Sequence, residues 1–234
     1  MKAQDIRKEL RKLGSKERAE ASKRYFKTGP GEYGEGDVFL GVGAAEMRRL
    51  AKEFQDLPAR EVKSLLKSGI HEERAVALLI LVRQYQRGDW KEQERIYKLY
   101  MDHLRCVNNW DLVDVSAPHL VGAFLQNKSK KPLYRLARSK NLWERRVSVL
   151  ATFYYIKGNA FSESLKIAEM LLTDEEDLIH KAVGWMLREV GKRDLVTEER
   201  FLKKHYRHMP RTMLRYSIER FPEPKRQRYL KGKV

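Results

Sequence analysis

The stretch His71–Tyr85, HEERAVALLILVRQY, decides the fold. Ala75, Leu78, Leu79 and Val82 recur at i, i+3, i+4 and i+7, the spacing that lines one face of an α-helix. Comparable stripes fill most of the chain, no segment sustains the alternation of a strand, and Gly and Pro cluster between the helical patterns. The pattern predicts roughly a dozen helices and no sheet.

The opening of that helix repeats. Glu73-Arg74-Ala75-Val76, Arg145-Arg146-Val147-Ser148 and His180-Lys181-Ala182-Val183 each begin an apolar helix after a short polar connection. Arg74 and Arg146 lie 72 residues apart, two units of 36, and Arg146 and Lys181 lie 35 apart. Such a period, with two helices per unit, predicts an all-α solenoid of HEAT or armadillo type: stacked antiparallel helix pairs with a basic concave face, forming one domain over residues 1–234. The Gly-rich stretch Thr28–Val42, TGPGEYGEGDVFLGV, carries five glycines and interrupts the helices. It reads as an acidic connecting loop whose Phe39 and Leu40 tuck into the core. The C-terminal stretch 222–234 reads as a basic, solvated tail.

Charge narrows the function. The chain has 49 Lys and Arg against 32 Asp and Glu, a net +17, which favours a polyanionic partner. The single cysteine, Cys106, provides no disulfide framework and reads as a small buried hydrophobe in a helix. The opening MKAQDIRKELRKLG reads as a charged amphipathic helix rather than a secretory leader, and the longest apolar run, Ala75–Val82, is too short to span a bilayer. A cytoplasmic protein, nucleoid-associated when bound to DNA, is expected, with no membrane association. Phosphate-loop and dinucleotide-binding glycine patterns are absent, as are HExxH, CxxC and GxSxG, and His205 and His208 lack a partner in ligand register. No cofactor or metal is expected.

The segment Asn108–Pro118, NNWDLVDVSAP, carries the chemistry. Trp110 and Asp114, four apart, share a helix face. Trp110 also falls one repeat before Arg146, and Trp185 follows Lys181 by the same four residues that separate Asp114 from Trp110. Aliphatic residues would occupy these phases in a core, so the strip is expected to face solvent on the concave side. A carboxylate in a basic groove repels phosphate, so Asp114 either supports chemistry, stabilising an oxocarbenium-like sugar and orienting water, or pairs with an arginine of the next repeat. Asp111 points away from Asp114 and suits an N-cap or a salt bridge. Trp110 and Trp185 offer ring faces to a sugar, base or cation, or simply pack between helices. Arg146 suits a phosphate clamp, and Arg145, Lys181 and Arg188 are DNA-contact candidates of the same kind. Trp90 and Trp143 read as structural.

These stretches, together with Arg24-Tyr25-Phe26-Lys27, Phe39-Leu40-Gly41-Val42, Trp143-Glu144-Arg145-Arg146 and Lys181-Ala182-Val183-Gly184-Trp185-Met186-Leu187-Arg188-Glu189, resemble the AlkD-like DNA alkylation repair family, over about residues 20 to 220. The resemblance implies a monomeric, monofunctional glycosylase of HEAT-like repeats acting on double-stranded DNA that contains alkylated bases. It would hydrolyse the N-glycosidic bond of cationic N3- or N7-alkylated purines without inserting the damaged base into a pocket. It assigns the catalytic carboxylate to Asp114, the aromatic pair at the lesion to Trp110 and Trp185, the phosphate-contacting arginine to Arg146, and a further lesion contact to Tyr25. The chain departs from the family pattern in a longer Thr28–Asp37 loop and in Gly43-Ala44-Ala45, where relatives carry a basic residue and a proline. Two further readings stay open from the residues: a non-catalytic HEAT-like binder of branched or bent DNA, and a scaffold for acidic proteins.

Overall fold

The computed structural model describes residues 1–234 and is helical throughout, so the expected all-α class without a sheet holds. The sole β-type pairing is one bridge between Val38 and Ile70. The chain forms two compact units, Met1–Leu120 and Val121–Val234. No helix is long and apolar enough to cross a membrane.

The first unit contains α1 (Ala3–Leu13), α2 (Lys16–Tyr25), α3 (Ala44–Glu53), α4 (Ala59–Leu66), α5 (His71–Arg87), α6 (Trp90–Asp102) and α7 (Trp110–Ala117). Helix α5 is its centre and packs against α1, α3, α4, α6 and α7. With neighbours on several sides, α5 buries more than the predicted stripe. Val76, Ala77, Ile80 and Leu81 are fully covered, whereas Leu79 of the stripe is half-exposed. A helix apolar all round belongs in a core. Cys106 lies in a 3-10 turn after α6 and is half-buried, not in an α-helix core as expected. Helix α7 stops at Pro118, which has no N–H to continue the i+4 ladder. The chain continues there as a π-helical turn, Pro118–Gly122.

The second unit contains α8 (Ala123–Leu125), α9 (Lys131–Ala137), α10 (Leu142–Ala151), α11 (Phe153–Lys157), α12 (Ser162–Met170), α13 (Asp177–Gly191), α14 (Leu195–His205), α15 (Arg211–Ser217) and α16 (Glu223–Leu230). Helix α13 is central and packs against α10, α11, α12, α14 and α15. Gly184 lets α13 approach α15 closely, since a Cβ there would lie 2.5 Å from the Met213 carbonyl oxygen. The basic C-terminal stretch is not a free tail. It forms α16, which buries Tyr229 edge-on against Tyr206 and Phe221 and pairs Lys225 with Glu199. The Tyr206 hydroxyl donates to the carbonyl oxygen of Val234 at 2.8 Å, pinning the last residue as well. Tyr229, the buried aromatic within the charged run, and Phe221, just before it, explain the docking.

Candidate active site

In the first unit the chemistry gathers at the start of α7. Asn109 is the N-cap: its side-chain oxygen accepts from the Trp110 backbone N–H at 2.8 Å, satisfying one free donor of the first turn. Its side-chain amide donates to Asp37 Oδ2 at 3.1 Å. This cap fixes the half-buried Trp110 at the first helical position and, one turn later, the half-buried Asp114. The fully buried Tyr100 hydroxyl meets the Ser116 hydroxyl at 3.0 Å, tying α7 to α6. Burial, opposed by that hydrogen bond and reinforced by the nearby Asp114 charge, pushes the Tyr100 phenol well above its ordinary range.

Tyr25, at the end of α2, stands 66% exposed with its ring edge-on to Trp110, centroids 5.7 Å apart. The two aromatic residues singled out in this unit are thus brought together. Phe26 stacks beneath Trp110 at 5.2 Å, Phe39 stacks on Phe26 at 5.0 Å, and the His71 ring stacks on Phe39 at 4.6 Å. Trp110 therefore caps a column of rings that runs inward to the first residue of α5.

The base of that column escaped the sequence reading. His71, Glu72, Glu73 and Arg74 are all buried, none more than 4% exposed. His71 Nδ1 meets Asp37 Oδ2 at 3.1 Å and His71 Nε2 meets Asp111 Oδ2 at 2.8 Å. Arg74 pairs with the other oxygen of Asp37 and donates to the Ser68 carbonyl at 3.0 Å. Burial lowers the basicity of His71, but Asp111 and Asp37 outweigh it and raise the imidazole from 6.5 to about 9. Burial pushes Asp37 up, yet the hydrogen bond to His71, the Arg74 charge and Asn109 together hold it below its ordinary value. Glu72 accepts the backbone N–H groups of Leu40, Gly41 and Val42 at 2.8–3.2 Å, and Glu73 pairs with Arg7 of α1 at 2.9 Å.

The Thr28–Val42 loop is anchored by these contacts. Phe39 is buried as expected and Leu40 half-buried, while Asp37, read as part of an acidic surface, is the buried partner of two cations. Asp111 takes the salt-bridge role expected of it, and the capping role belongs to Asn109. One sequence signal was available: four consecutive ionisable residues open the helix that carries the longest apolar run of the chain.

In the second unit the expected solvent-facing strip is only partly exposed. Trp185 is half-buried, tilted against Phe153 with centroids 5.7 Å apart, and hydrogen-bonded to Glu189. Lys181, one turn before it on α13, pairs with Asp177 at 2.6 Å and keeps 39% of its side chain exposed. Arg146 departs from the expectation: it is 5% exposed and donates to the Leu178 carbonyl at 2.6 Å. Arg145 is held by Asp174 at 2.7 Å and by the carbonyls of Ser139 and Lys140, both at 3.0 Å. Arg188 pairs with Glu219 and is largely covered. Arg145 and Arg146 fasten the opening of α10 to the connection before α13 and to its first turn, and Arg188 ties the last turn of α13 to the turn after α15. Trp143 is buried and Trp90 stands exposed on the surface.

The chain is thus an all-helical protein with an aromatic–carboxylate pair at the start of α7. The comparisons are more specific. The family model for the DNA alkylation repair enzyme matches residues 6–221, and the chain belongs to this family. Among solved structures, it is similar to one described as a predicted DNA alkylation repair enzyme from Enterococcus faecalis. That likeness has 21% identity and a TM-score of 0.69, over 90% of this chain and 98% of the other. It is also similar to smu.31 from Streptococcus mutans UA159, at 19% identity and a TM-score of 0.53, over 76% and 92% of the two chains. No curated protein matches.

Proposed function

We propose that the chain is a DNA glycosylase that hydrolyses the N-glycosidic bond of cationic N3- or N7-alkylated purines in duplex DNA, without a base-flipping pocket. The observation that carries this reading is Asp114, a carboxylate one helical turn beyond Trp110, kept on the α7 face of a protein with net charge +17. Membership of an alkylation repair family supports the substrate class.

The chemistry needs little from the protein. Alkylation makes the base a cation, so the C1′–N bond breaks with its electron pair returning to the base, which leaves neutral and needs no general acid. The deoxyribose is left as an oxocarbenium ion. Asp114 stabilises that charge and orients a water, whose oxygen bonds to C1′ while its proton passes to the carboxylate and then to solvent. One carboxylate suffices where ordinary glycoside hydrolysis uses two. Trp110 and Tyr25 present ring faces and edges to the deoxyribose, where positive charge develops. Of the four cations assigned to DNA, Lys181 is the exposed one and makes the direct phosphate contact. Arg145, Arg146 and Arg188 shape the surface from beneath.

The test is release of 3-methyladenine and 7-methylguanine from methylated duplex DNA, measured by chromatography of the freed bases. Release of either, with an abasic site left in the duplex, is expected. Duplex binding with release of neither overturns the glycosylase reading and favours a non-catalytic DNA binder.

A further inference from the structure

We propose that His71 is a positioning residue for the Trp110–Asp114 face, its imidazolium clamped between Asp37 of the Gly-rich loop and Asp111 of α7. The inference rests on the glycosylase reading for its catalytic consequence and on the geometry of the first unit for its physical content.

Three elements meet at this side chain. From α5, the His71 backbone N–H donates to the Val38 carbonyl at 2.8 Å, so main chain and ring both grip the loop. From the loop, Asp37 takes Nδ1; from α7, Asp111 takes Nε2. A neutral imidazole has one N–H and can donate to only one of two carboxylates. The imidazolium donates to both, so the bridge from loop to α7 requires the proton. Asp111 Oδ1 is buried and accepts no hydrogen bond, which leaves His71 as the hydrogen-bonding partner of this carboxylate.

Charge leads to the same conclusion. The groups facing the imidazole are Asp37 from the loop, Asp111 from α7 and, through Asp37, Arg74 from α5. Glu72, beside it on α5, is occupied by the loop amides, and Glu73 by Arg7 of α1. Two carboxylates balance two cations only while His71 is protonated. Loss of that proton leaves an uncompensated buried carboxylate, which is costly. The consequence reaches the site because Asp111 adjoins Trp110 and the His71 ring is the base of the column Phe39–Phe26–Trp110. His71 touches no reacting atom; it acts by setting the first turn of α7 and the ring that caps it.

The sign of the pH dependence follows from the raised imidazole. The clamp is complete below the ordinary histidine value of 6.5 and is lost as pH rises through about 9. Base release should therefore show an alkaline limb near pH 9 in the single-turnover rate, with duplex affinity moving less than twofold. His71→Gln should lower that rate about tenfold, an order expected for misplacing a catalytic face, and abolish the limb. Asp111→Asn keeps the Asp37 pair but removes one carboxylate, so it should fold and move the limb to lower pH. A wild-type rate and limb in His71→Gln, or an unmoved limb in Asp111→Asn, would overturn the inference. Hydrogen-exchange protection of Leu40–Val42 and Val113 separates the two proposals. In a protein that releases no base, protection lost through pH 9 in wild type but insensitive to pH in His71→Gln still supports the clamp. Unchanged protection refutes it independently of the glycosylase reading.

Discussion

The openings of α5 and α10, at the same phase of the repeat, bury an arginine, whereas the opening of α13 leaves its lysine half-exposed. Arg74 at the start of α5 meets a carboxylate, Asp37, brought from a loop 37 residues earlier. Arg146 at the start of α10 meets a backbone carbonyl, that of Leu178, 32 residues later. Both guanidinium groups are buried, so the repeated arginine is first a fastener between a helix opening and a distant stretch of chain. Lys181, at the third opening, pairs with Asp177 one turn earlier on its own helix and stays half-exposed. Repeat phase therefore fixes where a cation sits along the chain, and the partner it finds decides whether any charge is left for DNA.

This contrast orders the effects of substitution. Arg74→Ala removes one partner of a buried ion pair and should cost about 3 kcal/mol in urea unfolding, the lower end for such breaks because His71 and Asn109 still hold Asp37. Arg146→Ala removes a buried charged donor from the Leu178 carbonyl and should cost at least about 2 kcal/mol. A loss under about 1 kcal/mol for either variant would contradict the fastening role of the two arginines. Arg146→Ala should also leave the salt dependence of duplex binding nearly unchanged, because its charge is turned inward.

A second buried ionisable group, in the other unit, sharpens the comparison. Burial raises Glu198 of α14 from 4.5 to about 8, with the Glu199 charge adding to the rise. The fold keeps the Glu198 proton, so its contribution falls as pH rises from about 4.5 and reaches its minimum above about 8. His71 and Glu198 thus both weaken the protein toward alkaline pH, but through opposite charges: one group loses a needed cation, the other gains an unwanted anion. Glu198→Gln should raise the Tm at pH 9 and change it little at pH 5. An equal Tm change at both values would show that the carboxyl is not protonated in the fold. The smallest effect is expected at Lys181→Ala, which should leave stability within about 0.5 kcal/mol, as for exposed pairs. The same variant should reduce the logarithmic salt slope of duplex binding by about 0.9, one phosphate's worth. A slope unchanged by this variant would remove Lys181 from the DNA-contacting set.

Local patterns made much of this legible from sequence. The helical period of Ala75, Leu78, Leu79 and Val82, the three repeated openings and the Trp110–Asp114 spacing all lie within a few turns of chain. The clamp beneath Trp110 does not, because Asp37, His71 and Asp111 lie 34 and 40 residues apart and only folding brings them together. The same limit explains the arginines. Composition marks them as cations, but burial of Arg146 depends on a carbonyl from the following repeat. The C-terminal run read as solvated because its charge density hides one aromatic anchor, Tyr229, which is buried against Tyr206 and against Phe221 just before α16.

The central claim is that Asp114 performs the hydrolysis, and single-turnover release of 7-methylguanine by Asp114→Asn tests it most directly. The substitution keeps the size of the side chain and removes its charge. The account predicts a loss of at least about 100-fold in release, the scale of a general-base and electrostatic contribution, with duplex affinity unchanged or tighter. Release within threefold of wild type, by a variant that folds and binds DNA normally, would contradict it.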